Sequence, residues 1–518
     1  MPCIVDFLHS NRWIGFVVFA LLSSAVSMAQ PPIDPILLTG DSVPGRPGEQ
    51  FDSIEQFAIN DNDQIVVDVE TTVGAGIWAR DGSGTTFFPL VEIGDAAPEI
   101  EDAFFEVWPR QPIRLASSGR IVVLFGLTGS GVSDASESAL YAMDVNSGEL
   151  VLVVQRGDPA PGTGTTFTGL SPVPSVAADG RFVFNASLDG VDNEVGSRYD
   201  AIYGVAVPGE PPQLLALSGE PAQGLGVGVV FDTIRGSAIR GDNLLIRAVV
   251  RGPGIDSDNR SGIWLRSLIS NTDRLIARTG EQAADLPAGV VYESITSELL
   301  DNGAIGIEAK LDGPGIESSN DGAVFVFDGS GGADLLLREG DSVGSVDLTV
   351  ATILDVTFSA AGLHTVSVIL SGDGVDSSNN YAFVRIAEGS TPVIFAREGT
   401  EMPAGSSEYF GRNDNDSGQI ATVVGPSLPN ASLYVTTSGG SFIEVAGVGD
   451  RVTVDGIQES VEYVPQLTLG TRGTLDALAN DGMLAFWLNL QDGRFGVFQL
   501  QSNYLIFADG FEKSSAAP

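Results

Sequence analysis

Short apolar segments rich in β-branched residues recur along the whole chain, each bounded by Gly, Asp, Asn or Pro. In the stretch that begins at Gly219 they fall at 229–234, 243–250, 262–266 and 273–277. Each segment has the length and composition of a β-strand, and no window sustains the apolar period of a helix. The pattern therefore predicts an all-β protein built from groups of four short strands.

A glycine followed by an acid marks each group of strands and returns about every 60 residues. Its eight copies are Gly40-Asp41, Gly94-Asp95, Gly157-Asp158, Gly219-Glu220, Gly280-Glu281, Gly340-Asp341, Gly399-Thr400 (where the acid is lost) and Gly449-Asp450. One aromatic residue per copy keeps the same spacing: Trp78, Tyr141, Tyr203, Trp264, Phe325, Phe383, Tyr434 and Phe498. Four strands repeated eight times are typical of a β-propeller, so we predict an eight-bladed propeller over residues 35–502. We interpret the aromatics as blade-core residues and the acids as caps of local backbone amides.

The ends of the repeat array predict how the ring closes. The last copy offers 464–469, 483–488 and 495–498 as strands, and its fourth strand is not obvious. The segment 35–38 belongs to no other blade, and pairing it with the last blade would bury both open edges. Residues 504–507 compete for that place. An open β-solenoid is the alternative architecture, although 60 residues is long for one solenoid coil.

The charge of the chain excludes some partners. Asp and Glu number 67 against 26 Lys and Arg, which gives a formal net charge of −41. Because phosphate recognition needs a Lys/Arg footprint, we expect no nucleic-acid partner and no binding to anionic membrane surfaces.

The first residues have the layout of a signal peptide. Arg12 precedes the apolar run 13–22, and Ser27 and Ala29 are small residues at the −3 and −1 positions before Gln30. We therefore predict a signal peptide over 1–29 and no membrane span after its cleavage. Cleavage would remove Cys3 and leave His364 as the one histidine, so disulfides and a histidine-rich zinc site are not expected. An uncleaved N-terminal anchor is the alternative.

One sub-motif before the second strand resembles a known family. It reads Asn415-Asp-Ser-Gly418-Gln-Ile-Ala421-Thr422, with looser copies at 479–486 and 60–67. These segments resemble the tandem repeats named for the pattern Asn-x-x-Gly-x-x-Ala-Phe, which occur in secreted bacterial proteins usually without assigned activity. The tail 503–518 contains Ile506-Phe-Ala-Asp-Gly-Phe-Glu512, similar to an ending found on exported proteins of some gammaproteobacteria. The resemblance implies a secreted or envelope-exterior protein of a Gram-negative bacterium.

Two sets of acidic loops should meet on one face of the propeller. The Gly-acid turns lead into strand one of each blade, and the loops 252–259, 313–320 and 372–379 join strands two and three. Oxygen-rich loops of this kind suit Ca²⁺, so calcium is the candidate cofactor. The candidate ligands are Asp256, Asp258, Asn259, Glu317, Asn320, Asp321, Asp376 and Asn379. The alternative is that these side chains only form turns through local hydrogen bonds.

No set of catalytic side chains stands out. Gly340-Asp-Ser342-Val-Gly344 matches a nucleophile-elbow string, but it coincides with a Gly-acid turn, and a nucleophile elbow needs a strand-turn-helix context. We therefore expect a non-enzymatic binding or structural scaffold, monomeric, whose partner is an extracellular protein or glycan. The rival is a glycan-active enzyme, a glycosidase or lyase, with paired carboxylates near the central channel.

Overall fold

The computed structural model describes residues 33–500 except 83, 85, 108–112, 191–199, 345–346, 401, 403–407, 415–418, 426–429, 437–441, 465–477 and 479–482. Eight antiparallel sheets follow one another along the chain and form an eight-bladed β-propeller, as predicted. No helix among these residues has the length and apolar character needed to cross a membrane. The predicted signal peptide (1–29) and tail (503–518) lie outside the described residues, and both stay predictions.

The first four blades take their strands in chain order from the inner to the outer edge. Blade 1 consists of β2 (Phe51–Ile59), β3 (Ile65–Thr71), β4 (Ala75–Arg80) and β5 (Phe88–Glu92). Blade 2 consists of β6 (Phe104–Val107), β7 (Arg120–Thr128), β8 (Ser138–Asp144) and β9 (Leu150–Gln155). Blade 3 consists of β10 (Pro159–Ala160), β11 (Thr165–Leu170), β12 (Ser175–Val176), β13 (Phe182–Leu188), β14 (Ala201–Val205) and β15 (Gln213–Leu217). Blade 4 consists of β16 (Val230–Arg240), β17 (Asn243–Arg251), β18 (Ser261–Ser267) and β19 (Thr272–Arg278).

The next three blades repeat this arrangement. Blade 5 consists of β20 (Val291–Leu299), β21 (Ile305–Asp312), β22 (Gly322–Phe327) and β23 (Ala333–Arg338). Blade 6 consists of β24 (Leu348–Thr357), β25 (Leu363–Gly372), β26 (Tyr381–Ala387) and β27 (Val393–Arg397). Blade 7 consists of β28 (Glu408–Asp414), β29 (Ile420–Gly425), β30 (Ser432–Thr436) and β31 (Phe442–Ala446).

Blade 8 joins the two ends of the described chain. It contains β32 (Arg451–Val454), β33 (Ile457–Tyr463), β34 (Leu484–Leu490) and β35 (Phe495–Leu500), and β1 (Ile33–Leu38) pairs antiparallel with β35. The N-terminal segment therefore supplies the fourth strand, which confirms one of the two candidates. The competing segment, 504–507, lies outside the described residues.

The first strand of blade 8 lies earlier than predicted. β33 is the strand that pairs with β34, whereas the sequence pattern favoured 464–469, of which 465–469 lie outside the described residues. The backbone N–H of Gly449 donates to the carbonyl of Val461 at 2.9 Å, as the N–H of Gly40 donates to Phe51 at 2.8 Å. The distance from the glycine to the first strand is thus similar in blades 1 and 8.

Seven of the eight repeated aromatics occupy equivalent core positions. Phe383 lies one residue before that position, which Val384 occupies in blade 6, and it packs toward blade 7 instead of blade 5. All eight lie on the third strand of their blade, with 7% or less of their surface exposed. A β-bulge in the pairing with the fourth strand accompanies each one, for example between Ile263 and Trp264. The bulge turns a large ring toward the neighbouring blade, and the prediction of core packing is confirmed.

Apolar clusters fill the space between neighbouring blades all round the ring. One cluster joins blades 7, 8 and 1, and the others join each remaining neighbouring pair. Phe57 of blade 1 meets Trp487 of blade 8 with ring centroids 5.0 Å apart. Blade-to-blade packing and the β1–β35 pairing therefore close the ring together.

Candidate functional site

The Gly-acid turns lie where the chain passes from the last strand of one blade to the first strand of the next. In blade 4 the N–H of Gly219 donates to the carbonyl of Phe231 at 2.8 Å, and the N–H of Phe231 donates to the carbonyl of Glu220 at 2.9 Å. A carboxylate oxygen of the acid accepts the backbone N–H three residues earlier at 2.8–3.2 Å; the acids are Asp41, Asp95, Asp158, Glu220, Asp341 and Asp450. Glu281 instead accepts from Nε of Arg278 at 3.1 Å. The interpretation of these acids as local caps is confirmed in six of the seven turns.

The loops between strands two and three lie beside these turns, as predicted. A side chain at Gly252 would overlap the carbonyl oxygen of Gly228, and one at Gly313 would overlap that of Gly289. Both glycines have positive φ, at 141° and 132°. Only glycine fits such a close backbone approach in this conformation. The two loop sets therefore share one face of the propeller, which we call the loop face.

The calcium candidates form the same hydrogen-bonded turn in three successive blades. The asparagine Oδ1 accepts a backbone N–H from Asp256, Glu317 or Asp376 at 2.8–3.0 Å. Its Nδ2 donates to the carbonyl of Gly254, Gly315 or Gly374 at 3.1–3.2 Å; the asparagines are Asn259, Asn320 and Asn379. The oxygens of these asparagines are thereby engaged within their own loops.

Two further calcium candidates also have protein partners. Oδ1 of Asp258 accepts from the Ser257 hydroxyl at 2.7 Å, and Oδ2 of Asp321 lies 3.4 Å from Nζ of Lys310. Among the described residues, no three His, Cys, Asp or Glu side chains form a group that could hold a metal ion. The candidate ligands thus remain spread over three separate loop tips, and calcium stays a prediction.

A cavity of about 530 Å³ lies on the inner strands of blades 3, 4 and 5. Its walls come from β12 and the segment before it, from the second halves of β16 and β20, and from β13 and β17, and Arg114 reaches it from the segment before β7 of blade 2. The first strand of each blade runs away from the loop face, so the cavity lies toward the opposite end of these strands. Its volume is within the range of small-molecule sites, about 300–1,000 Å³.

Arginines dominate the ionisable groups of this cavity. Its described lining contains Arg114, Arg235, Arg240 and Arg247, against a single carboxylate, Glu298. Nε of Arg240 lies 3.0 Å from Oδ1 of Asp301. Arg235 is exposed and makes no hydrogen bond or ion pair with any residue that the structure describes. Arginines thus outnumber carboxylates in the described lining of the cavity, in a protein whose net charge is strongly negative.

A β-bulge aims Arg235 into the cavity. In the β16–β17 pairing Ile234 lies opposite Ala248 and Gly236 lies opposite Arg247, so Arg235 is the extra residue between two pairs. A bulge of this kind redirects a side chain and is frequent near functional sites. The guanidinium of Arg247 lies close against the same bulge, since a Cβ on Gly236 would be 3.0 Å from its Nη2.

Two buried polar groups in the cavity have unused hydrogen-bonding capacity. Asn185 is 4% exposed and Ser297 is 6% exposed. Oδ1 of Asn185 accepts from the Ser237 hydroxyl at 2.8 Å, across the boundary between blades 3 and 4. Nδ2 of Asn185 and Oγ of Ser297 have no hydrogen-bond partner among the described residues. Buried polar atoms are normally paired, so these two atoms keep hydrogen-bonding capacity beside the cavity.

The nucleophile-elbow string has no catalytic context. Ser342 bridges to Thr349, which pairs with Ser371 at one end of β25, whereas His364 lies at the other end. Seven residues of strand separate Ser371 from His364, about 23 Å at 3.3 Å per residue. Burial lowers the pKa of His364 to about 4, and its Nδ1 accepts the backbone N–H of Ser359 at 3.3 Å. His364 is therefore a neutral core residue, and Ser342 belongs to a turn.

The profile of one protein family covers most of the chain. A family of unknown function (DUF7453) matches residues 22–223 and, in a second segment, residues 213–502. No functionally curated protein matches the sequence. The resemblance to the Asn-x-x-Gly repeats stays a prediction, and its copies at 415–418 and 479–482 lie outside the described residues.

Several solved structures are similar to this chain, with low sequence identity. An oligogalacturonate lyase from Vibrio parahaemolyticus is 10% identical with a TM-score of 0.39, over 90% of this chain and 98% of the lyase. A post-proline cleaving enzyme from Rickettsia typhi is 10% identical with a TM-score of 0.39, over 82% of this chain. Oligopeptidase B from Leishmania major is 9% identical with a TM-score of 0.42, over 79% of this chain. This chain spans 57% and 52% of the lengths of the two peptidases.

Proposed function

The chain belongs to the family of unknown function DUF7453, and we propose that it is an exported binding protein that holds a small anionic ligand in its arginine cavity. The observation that carries the proposal is the charge of the cavity. Four arginines share its described lining with a single carboxylate, in a chain with 67 acids and 26 bases. Like charges so close together repel one another, and an anion in the cavity would relieve that repulsion.

Arginines elsewhere in the protein pair with carboxylates, in contrast to Arg235 in the cavity. Nε of Arg181 lies 2.7 Å from Oδ2 of Asp179, and Nε of Arg266 lies 2.5 Å from Oδ1 of Asp273. Acids are so abundant that a surface arginine readily finds one. Arg235 has no such partner among the described residues, and a guanidinium is suited to carboxylate or phosphate groups. Its position therefore favours recognition of an anion from outside the chain.

The composition of the cavity favours binding over hydrolysis. The two-carboxylate mechanism of glycosidases needs an acid and a second carboxylate about 5 to 10 Å away. The described lining of the cavity supplies only Glu298. Binding without chemical change of the ligand is accordingly the function we propose, and incubation with polysaccharides should release no sugar.

Titration calorimetry with simple anions tests the binding proposal. The full-length protein should bind sulfate, acetate or a sugar acid, with an affinity that falls as salt screens the arginines. Arg235→Gln should weaken this binding at least about tenfold, because a charge-assisted hydrogen bond is worth roughly 1.5–3 kcal/mol. Arg181→Gln is the matched control, since Arg181 already pairs with Asp179 and Asp242 on the surface. Binding that is absent for every anion would refute the proposal.

Export rests on the signal-peptide pattern and has its own test. When the gene is expressed in a Gram-negative host, the protein should leave the cytoplasm with Gln30 as its first residue. An intact chain that begins at Met1 and stays in the cytoplasm would contradict export, without affecting the proposed ligand site.

A further inference from the structure

We infer that the ligand of the arginine cavity is a sugar carboxylate, either a free sugar acid or the end of an acidic polysaccharide. The inference rests on the proposed function, because it takes the arginine cavity as the ligand site. It goes further by using the neutral polar groups of the cavity and its apolar walls as well as its arginines.

The neutral polar groups call for hydroxyl or carbonyl partners. Nδ2 of Asn185 can donate, and Oγ of Ser297 can both donate and accept, and neither has a partner among the described residues. Leaving such a buried group unpaired costs about 1–3 kcal/mol. Sugar hydroxyls can accept from the amide and pair in either direction with the serine. The same molecule can then place its carboxylate on the guanidiniums.

The cavity also has apolar wall segments. Val173, Pro174, Leu245 and Leu299 line it together with the arginines and the neutral polar groups. A pyranose ring has hydroxyls at its edge and C–H groups on its faces, so it matches walls that are partly polar and partly apolar. The volume of about 530 Å³ far exceeds the needs of an inorganic anion and is ample for one sugar ring or more.

The two exposed arginines that share the bulge are the candidate carboxylate clamp. Arg235 is the extra residue of the bulge, and the Arg247 guanidinium lies against Gly236, the next residue. Two planar guanidiniums on adjacent strands can bind one carboxylate through several N–H groups. A methyl group at Gly236 would meet only the flexible end of the Arg247 side chain, at 3.0 Å from Nη2. Gly236→Ala should therefore shift the clamp without unfolding the blade.

Calorimetry with four probes tests the inference on the full-length protein. The probes are glucuronate, galacturonate trimer, glucose and sulfate. Glucuronate or the trimer should bind at least about tenfold more tightly than sulfate, since hydroxyl and carboxylate contacts add. Glucose should bind more weakly than glucuronate because it has no carboxylate for the arginines. The ratio of glucuronate to trimer affinity separates a free sugar acid from a polysaccharide end.

Two variants assign the contacts. Ser297→Ala should weaken glucuronate binding roughly three- to tenfold and leave sulfate binding unchanged, because it removes only a neutral hydrogen bond. Gly236→Ala should weaken the binding of both anions, because it displaces the Arg247 guanidinium. The melting temperature of each variant shows whether the fold is intact, and Arg181→Gln again serves as the control.

The outcomes separate the two proposals. Sulfate binding that equals or exceeds glucuronate binding, or an unchanged glucuronate affinity in Ser297→Ala, would overturn the sugar-carboxylate inference and leave the anion site standing. Failure of all anions to bind would overturn both. Glucose binding as tight as glucuronate binding, and unaffected by Arg235→Gln, would overturn the sugar-carboxylate inference alone, since the carboxylate would then have no role.

Discussion

Leu37 pairs with Val497 in an antiparallel ladder, although the two residues come from opposite ends of the described chain. Both side chains are buried, with 4% and 0% of their surface exposed. Gly496, beside Val497, allows this contact, because a Cβ there would overlap the carbonyl oxygen of Leu37. The closing strand thus depends on one glycine as well as on its own apolar residues.

Replacement of Gly496 should weaken the β1–β35 pairing that closes the ring. Gly496→Ala should lower the free energy of unfolding by about 1–3 kcal/mol, because the added methyl group pushes β1 away from β35. Gly74→Ala is the matched control, since its Cβ would meet nothing within 4 Å. Urea unfolding monitored by tryptophan fluorescence gives both values. Equal midpoints for the two variants would show that the β1–β35 contact contributes little.

Two substitutions of Asp41, the acid of the first Gly-acid turn, should change the stability of the protein in opposite directions. Burial raises the pKa of Asp41, and this effect exceeds the opposing hydrogen bond from the Leu38 N–H. An acid whose folded-state pKa is raised loses stability as pH rises through that pKa, so ionised Asp41 is unfavourable at neutral pH. Asp41→Asn keeps an acceptor for the N–H and should slightly stabilise the protein at pH 7.

Asp41→Ala removes the acceptor and should destabilise the protein by about 1 kcal/mol. The advantage of Asp41→Asn should disappear below about pH 4, where the native carboxyl is protonated as well. Thermal melts of both variants between pH 3 and 7 provide the measurement. If both substitutions destabilise equally at pH 7, the charge of Asp41 is needed and the role of burial is wrong.

Buried His364 predicts a specific loss of stability in mild acid. Burial lowers its pKa from 6.5 to about 4, and Glu388, 3.9 Å from its Nε2 and half exposed, does not offset this effect. The unfolded chain therefore binds a proton at a higher pH than the native one. Stability should fall as pH drops from about 6.5 to 4, by on the order of 3 kcal/mol from this residue.

His364→Asn isolates that contribution, because its side-chain oxygen can replace Nδ1 as the acceptor of the Ser359 N–H. The stability of this variant should change less between pH 6.5 and 4 than that of the natural protein. Denaturant unfolding at several pH values measures the difference. Parallel pH profiles would indicate that His364 is protonated in the native state.

The calcium prediction for the loop tips has a direct test. Calcium that binds only the folded protein stabilises it, by about 2.7 kcal/mol when its concentration is 100 times the dissociation constant. Millimolar Ca²⁺ should then raise the melting temperature, and Asp376→Asn should reduce the rise. An unchanged melting temperature would leave these side chains as turn-forming groups, in line with the bonds from Asn259, Asn320 and Asn379.

The sequence predicted the fold because the fold is repetitive. Trp264 and six of the other repeated aromatics recur at a similar spacing, since each fills the same place between neighbouring blades, and Phe383 lies one residue away from that place. The closing segment 35–38 was identifiable because no other blade needed it. In blade 8 the regular distance from Gly449 to the first strand locates β33, which lies before the predicted segment 464–469.

The arginine cavity escaped prediction because its residues do not repeat. Arg235 is the extra residue of the second bulge in β16, and the same bulge in β2 and β24 has Glu55 and Leu354 at that place. Asn185 and Ser297 meet it from other blades, which no spacing along the chain reveals. One signal was present: Arg235, Arg240 and Arg247 lie within a single hairpin of a very acidic chain.

The pairing of β1 with β35 also sets an order of events during protein synthesis. β1 is made before any blade, but its partner does not exist until Phe495–Leu500 has been translated. A nascent chain must therefore keep Ile33–Leu38 available while seven other sheets fold. Premature termination anywhere before residue 495 would leave an incomplete ring with an unpaired N-terminal strand, a natural target for proteases and chaperones.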